Sequence, residues 1–309
     1  DVTRDVGDEE WIRWRPTVPG FGFYRATVRL TNTDGIELSR ELSMAVMPEP
    51  LDVRSPQFGW NVPRQPESVS FASLVELFRD GGISWVMYPV WYAPDDPTEG
   101  QRLGDLAERL TLERMELIAL LDSPPASLRT DFSSVEDGVS STFRDEDSWL
   151  PAIEHVLTRL SFKIDWWQLG SPDDESFVGQ NQLAVKIAAI RSRLQRFGKN
   201  IRVGLTWDWL YESPDPLEHL PAPTAPTRTV ATGVPLKGVG DPAWDFLLSS
   251  GPSPFTAEEL SRHLRDVESE LGPVWTTLQP LDADNYDLET RVRDLIERMV
   301  AIRMSNAAV

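Results

Sequence analysis

Seven apolar segments, each followed by a stretch of helical periodicity, constrain this chain more than any other feature of its sequence. They begin near Phe58, Ile83, Met115, Ile164, Ile201, Trp244 and Val274. Parallel strands need a crossover, and a helix is the usual one, so repeated βα alternation predicts a parallel sheet with helices packed outside it. The segments are near-continuous apolar runs, such as Ile83-Ser84-Trp85-Val86-Met87-Tyr88 and Glu116-Leu117-Ile118-Ala119-Leu120-Leu121. Strands buried on both faces read this way. The first segment, Phe58-Gly59-Trp60-Asn61-Val62-Pro63, is not followed by a glycine-rich phosphate turn. An α/β (β/α)8 TIM-type barrel is therefore favoured over a dinucleotide-binding sheet. An eighth strand should start at Ser305-Asn306-Ala307-Ala308-Val309, so the expectation is a barrel truncated before strand eight.

Helical stripes support the alternation. Phe71, Leu74, Val75 and Phe78 fall on one face, as do Leu183, Ile187, Ile190 and Leu194, and again Leu288, Val292, Leu295, Met299 and Ile302. Each predicts an amphipathic helix lying on the core. Thr256 to Glu259 is a capping box that opens a helix over Leu260, Leu264, Val267 and Leu271, with Gly272 as its stop.

The first 48 residues read differently. Trp11, Trp14 and the run from Phe21 to Leu30 alternate with the period of a half-buried strand, and Asn32-Thr33-Asp34-Gly35 is a turn into a second run, Ile36 to Met47. These few strands cannot enclose a core alone. Residues 1–48 are expected to be the C-terminal strands of an Ig-like β-sandwich, 49–55 a stiff linker around Pro48-Glu49-Pro50, and 56–309 the incomplete barrel. Residues 211–243 form a proline-rich loop segment bordering the C-terminal face of that barrel.

Composition excludes several functions. With 49 acidic against 30 basic side chains and a net charge of −19, the chain lacks the cationic surface that nucleic acid or anionic lipid requires. No apolar run is long enough for membrane insertion. There is no cysteine, and His155, His219 and His263 are too far apart for a metal pair. Asp282-Ala283-Asp284 has the start of a calcium loop without its glycine. No metal and no cofactor is expected.

Function in a barrel sits at the C-terminal ends of the strands. Here those ends carry Trp60-Asn61, Trp91-Tyr92, Asp122, Trp167 followed by Asp173-Asp174-Glu175, Trp207-Asp208-Trp209, Ser249-Ser250-Gly251, and Gln279 followed by Asp282. Flat aromatic faces suit the C–H surfaces of sugars and carboxylates accept from their hydroxyls, so the rim reads as a carbohydrate cleft. The same aromatics also serve as core filler, and Asp173, Asp174 and Asp284 also suit helix caps.

Phe58-Gly59-Trp60-Asn61 on the first strand, Trp167-Gln168-Leu169-Gly170 on the fourth and Val274-Trp275-Thr276-Thr277-Leu278-Gln279 on the seventh resemble the clan A glycoside hydrolases. The resemblance implies a (β/α)8 barrel, often behind a β-sandwich, with a glutamate acid/base after strand four and a glutamate nucleophile after strand seven. The sequence departs from both. Ser171 and Pro172 stand where Asn-Glu continues the fourth-strand motif, and Gln279 or a neighbour stands at the nucleophile's place. Candidate catalytic substitutes are Asp173, Asp174 and Glu175 as acid, Asp282 or Asp284 facing them, and Asp122 or Asp208 as base. Candidate sugar contacts are Trp60, Asn61, Trp91, Tyr92, Asp122, Trp167, Trp207, Trp209 and Gln279.

Two functions follow as expectations. One is a poly- or oligosaccharide hydrolase with displaced carboxylates; the other is a catalytically silent binding or structural module of a larger secreted or envelope-bound bacterial protein. Its partners would be a carbohydrate ligand and a longer polypeptide, or a neighbouring chain, that completes the barrel and the sandwich.

Overall fold

The computed structural model describes residues 17–31, 34, 35, 37–46, 58–65, 69–132, 138–212, 214, 243–250, 255–266 and 274–305. Trp11, Trp14, the linker at 49–55, Val267, Leu271, Gly272 and most of the proline-rich segment lie outside the described residues. The chain divides into two units, Asp1–Val53 and Arg54–Val309.

In the first unit, β1 (Gly22–Thr31) and β2 (Glu37–Val46) form a two-stranded antiparallel sheet in which Gly22 faces Val46 and Thr31 faces Glu37. Arg25 reaches Glu41 at 3.9 Å and Arg29 reaches Glu37 at 3.6 Å. Both pairs are exposed, and such pairs contribute little to stability.

In the second unit seven strands hydrogen-bond in chain order, all parallel. They are β3 (Gly59–Asn61), β4 (Trp85–Pro89), β5 (Glu116–Leu121), β6 (Trp166–Leu169), β7 (Arg202–Asp208), β8 (Phe246–Ser250) and β9 (Val274–Thr276). Among the described residues β3 pairs only with β4 and β9 only with β8, so the barrel is open. The intervening helices are α1 (Phe71–Asp80), α2 (Pro97–Leu112), α3 (Val139–Thr142), α4 (Glu146–Leu160), α5 (Leu183–Leu194), α6 (Ala257–Asp266) and α7 (Leu288–Met304).

Local chemistry starts these helices. Asp96 accepts from the Glu99 amide at 3.0 Å ahead of Pro97, and Asp287 accepts from the Thr290 amide at 2.8 Å. Thr256 and Glu259 close the reciprocal capping box in front of α6. A buried ion pair at 2.5 Å between Arg191 of α5 and Asp245 fixes the entry to β8, where Asp245 also accepts from the Val203 amide at 2.9 Å.

The sheet separates two apolar layers. Its helix-facing side packs on α1, α2, α4 and α5 through residues such as Val86, Leu117, Trp167, Val203 and Leu247. Its inner side holds Met87, Ile118, Leu120, Phe246 and Leu248 against Trp85, Trp166 and Trp275. The three indoles are mutually in contact, with centroids 5.2 Å apart for Trp85–Trp166, 4.9 Å for Trp85–Trp275 and 5.1 Å for Trp166–Trp275. Contact between the second and seventh barrel strands means that the sheet curls around a filled lumen.

The helical stripes hold in α1 and α5, where Phe71, Val75, Phe78, Leu183, Ile187, Ile190 and Leu194 are buried. In α7 the outcome differs. Its buried residues are Arg298, Ala301 and Ile302, whereas Leu288 and Val292 are exposed. The buried Arg298 guanidinium donates to the Gln279 carbonyl at 2.8 Å and pairs with Asp294 one turn back.

Candidate functional site

Strand parity decides which rim residues face the lumen. Register places Gln168 beside Gly204 and Asp208 beside Ser250, and side chains two apart share a face. Gln168, Thr206, Asp208 and Ser250 therefore form the inner face beneath the rim, above Trp166 and Phe246. All four are buried.

These polar groups bond one another and the loop after β6. Gln168 Nε2 donates to Thr206 Oγ1 at 2.9 Å, and Thr206 Oγ1 lies 2.9 Å from the Ser171 carbonyl. Ser250 Oγ donates to the Pro172 carbonyl, and Asp208 Oδ1 accepts from the Leu210 amide at 2.7 Å. The loop that carries Asp173 is thus pinned from below by β7 and β8.

Of the three carboxylates on that loop, each has a different setting. Asp173 is exposed and accepts at Oδ1 from Gln279 Nε2 at 2.6 Å, across the rim from the end of β9. Asp174 caps backbone amides: Oδ2 accepts from Val139 at 2.9 Å and Oδ1 from Ser176 at 2.8 Å. Glu175 is exposed. Asp282 serves its own turn, accepting from the Asp284 amide at 3.0 Å and from Asn285 Nδ2 at 2.8 Å. Asp122 is partly exposed at the end of β5.

Most of the candidate aromatics face the helices. Trp91 is buried, donates to the Ala152 carbonyl at 3.3 Å and meets Phe132 and Phe143. Tyr92 is buried against the His155 ring. Trp167 donates to the Ile164 carbonyl at 3.0 Å, and Trp207 donates to the Glu212 carbonyl at 3.0 Å. Trp209 stacks on Phe255 at 4.9 Å beside α6 and α7. Trp60 is 42% exposed and meets Phe78 of α1 edge-on, while Asn61 beside it is exposed. The residues brought together at the rim are therefore Asp173 and Gln279, with Asp208 beneath.

Gln168, Thr206 and Arg298 complete the arrangement and were not among the sequence candidates. The alternation Trp166-Trp167-Gln168 carries a signal for Gln168, since it must share the inward face of Trp166. Arg298 stands four residues after Asp294, an i, i+4 charge pair on a helix, and that spacing is its sequence signal.

A cleft of about 400 Å³ lined by Arg114, Glu116, Lys163 and Asp165 lies at the N-terminal ends of β5 and β6, opposite this rim. Barrel sites occupy the other end. Among the described residues no cluster of His, Asp and Glu is arranged to hold a metal ion, and no helix is long and apolar enough to cross a membrane.

No family model and no curated protein matches the sequence. Solved structures do. The fold is similar to that of a family 39 glycoside hydrolase from the gut symbiont Bacteroides cellulosilyticus WH2, with a TM-score of 0.59 at 10% identity over 93% of this chain. It is also similar to an endo-β-1,4-mannanase from Thermotoga petrophila, with a TM-score of 0.50 at 13% identity over 83% of this chain. This chain covers 62% of the first structure's length and 67% of the second's. The fold is a barrel similar to those of these glycoside hydrolases and, among the described residues, open between its first and seventh strands.

Proposed function

We propose that this chain is a carbohydrate-binding barrel, silent toward retaining glycoside hydrolysis, whose sugar site lies where the loops after β6 and β9 meet. The observation that carries this reading is the hydrogen bond from Gln279 to Asp173. Retaining hydrolysis needs two carboxyl groups about 5 Å apart, one of them a nucleophile. A glutamine amide cannot form the glycosyl ester. An amide–carboxylate pair instead presents donors and acceptors that suit vicinal sugar hydroxyls.

One observation favours a hydrolytic alternative. Asp208 is 3% exposed on the inner face next to Ser250, which bonds Pro172 beside Asp173. In that reading Asp173 is the acid and Asp208 the base of an inverting reaction.

The same proposal takes residues 1–48 as strands of an Ig-like sandwich, 49–55 as linker and 56–309 as the barrel. The hairpin of β1 and β2 and the division of the chain into two units support it. Sandwich-then-barrel order supports a secreted or envelope-bound bacterial protein.

Glycan-array binding followed by calorimetry tests the reading, with β-1,4-mannan oligosaccharides as first probes because one similar structure is a mannanase. Binding without release of reducing ends, weakened about tenfold or more in Asp173→Ala, is expected. Release of reducing ends would overturn the silent assignment. Absence of binding to any glycan would overturn the carbohydrate assignment.

A further inference from the structure

The loop that leads from β9 into α7 is held by two arginines of that helix. Arg298 Nη2 donates to the Gln279 carbonyl at 2.8 Å, and Arg291 Nε donates to the Leu281 carbonyl at 2.6 Å. The two arginines stand about two turns apart on α7, so they share one face of the helix and reach the loop on either side of Pro280. The start of the loop is tied to the sheet, where the Thr277 amide donates to the Ser249 carbonyl at 2.9 Å. Leu278 packs with Trp209, Leu260, Leu264 and Ile302. Gln279 is thus fixed through its backbone while its side chain is exposed and bonds Asp173.

The Arg298 half of this clamp works against stability. Arg298 is 1% exposed, its Nε lies 2.9 Å from Asp294 Oδ2, and its Nη1 is buried with no partner among the described residues. A buried ion pair offsets its desolvation only when every remaining proton finds an acceptor, and apolar residues of similar volume are commonly as stable or more so. A buried N–H without an acceptor adds to the penalty. The other buried residues of α7, Ala301 and Ile302, are apolar, so a methionine at 298 would continue their packing. What the guanidinium supplies and a methionine cannot is a donor aimed at the Gln279 carbonyl.

We infer that Arg298, oriented by Asp294 and assisted by Arg291, is a positioning residue for the rim, holding the Gln279 side chain where it pairs with Asp173 and so presenting a preformed donor–acceptor pair to a sugar. Connecting loops are the mobile parts of a fold, and a polar contact between two free loops would have to be ordered at the moment of binding. The Asp173 side is anchored separately, by Thr206 at the Ser171 carbonyl and by Ser250 at the Pro172 carbonyl. Both partners therefore project from held backbone. The meaning given to the clamp rests on the proposed sugar site, while the clamp itself does not.

Arg298→Met combined with Asp294→Asn, in the full chain, separates positioning from support of the fold. The urea midpoint should equal or exceed that of the parent protein. The order parameter of the Gln279 side-chain amide, measured by heteronuclear relaxation, should fall below about 0.6, the range of a flexible group, while the backbone amides of α7 keep theirs. Affinity for a glycan that the parent binds should weaken about tenfold. Arg291→Met, at the partly exposed end of the clamp, leaves the buried pair intact and should loosen Gln279 in the same direction. Gln279 keeping its order in the folded variants would overturn the inference. A lowered urea midpoint in the double variant would make Arg298 a support of the fold and overturn it as well. Relaxation is measured without sugar, so a parent protein that binds no glycan would sink the proposed function and leave the clamp standing.

Discussion

Gln279 Nε2 lies 2.6 Å from Asp173 Oδ1, joining the loops after the fourth and seventh barrel strands across 106 positions of sequence. The contact sets the loops after β6 and β9 against each other as acceptor and donor. Gln279→Glu would place two carboxylates within that distance, where like charges cannot both ionise readily. We predict that one carboxyl of the variant pair titrates above the ordinary carboxylate range because of the like charge beside it, read by NMR of labelled side-chain carboxyls. Ordinary carboxylate titration in the variant would mean that the two loops part freely.

Asp174 is predicted to be structural. Asp174→Ala removes acceptors from the Val139 and Ser176 amides, at a cost of about 1–2 kcal/mol in denaturant unfolding.

Two glycines are predicted to respond with opposite signs. A methyl group on Gly204 would meet the Phe246 ring at 2.2 Å, whereas on Gly104 of α2 its nearest neighbour is Lys163 Nζ at 3.6 Å. Gly204→Ala should lose roughly 1–3 kcal/mol or more through overpacking. Gly104→Ala should gain about 0.4–1 kcal/mol by restricting the unfolded chain. Thermal and urea unfolding of the pair measures both.

His155 gives the fold a pH dependence. Burial holds its pKa below the ordinary 6.5, against the opposing hydrogen bond from Nε2 to the Tyr92 carbonyl at 2.8 Å. The neutral ring is favoured in the fold, so the unfolded chain takes up the proton first. Its stabilising contribution is complete above pH 6.5 and is lost as pH falls through that value toward the folded pKa. Melting temperature should fall between pH 7 and 5, and His155→Gln, which keeps a donor for Tyr92, should flatten the slope. An unchanged slope would assign the dependence elsewhere.

The strand positions were legible because continuous apolar runs of this length between helical stripes have few alternatives. Observed strands start within two residues of the positions read from sequence. The site was less legible because it depends on side-chain parity at strand ends. Trp91, Trp167 and Trp207 stand at the expected positions but face the helices, and composition does not distinguish a rim aromatic from a core one. The capping role of Asp174 was open in the sequence, since the amide it serves, at Val139, opens α3 and lies 35 positions earlier. The face that α7 buries could not be read whole from the stripe, because Leu288 and Val292 fit a core face as well as Ile302 does, yet they are exposed while Arg298 is buried against Gln279.

The indoles of Trp85, Trp166 and Trp275 lie within 5.2 Å of one another, although they come from the second, fourth and seventh barrel strands. Chromophores this close couple their electronic transitions, and their relative orientation sets the sign and size of the resulting near-ultraviolet dichroism. The lumen floor thus provides an intrinsic optical gauge of curvature, in which a change in the splay between β4 and β9 alters the spectrum without any introduced label.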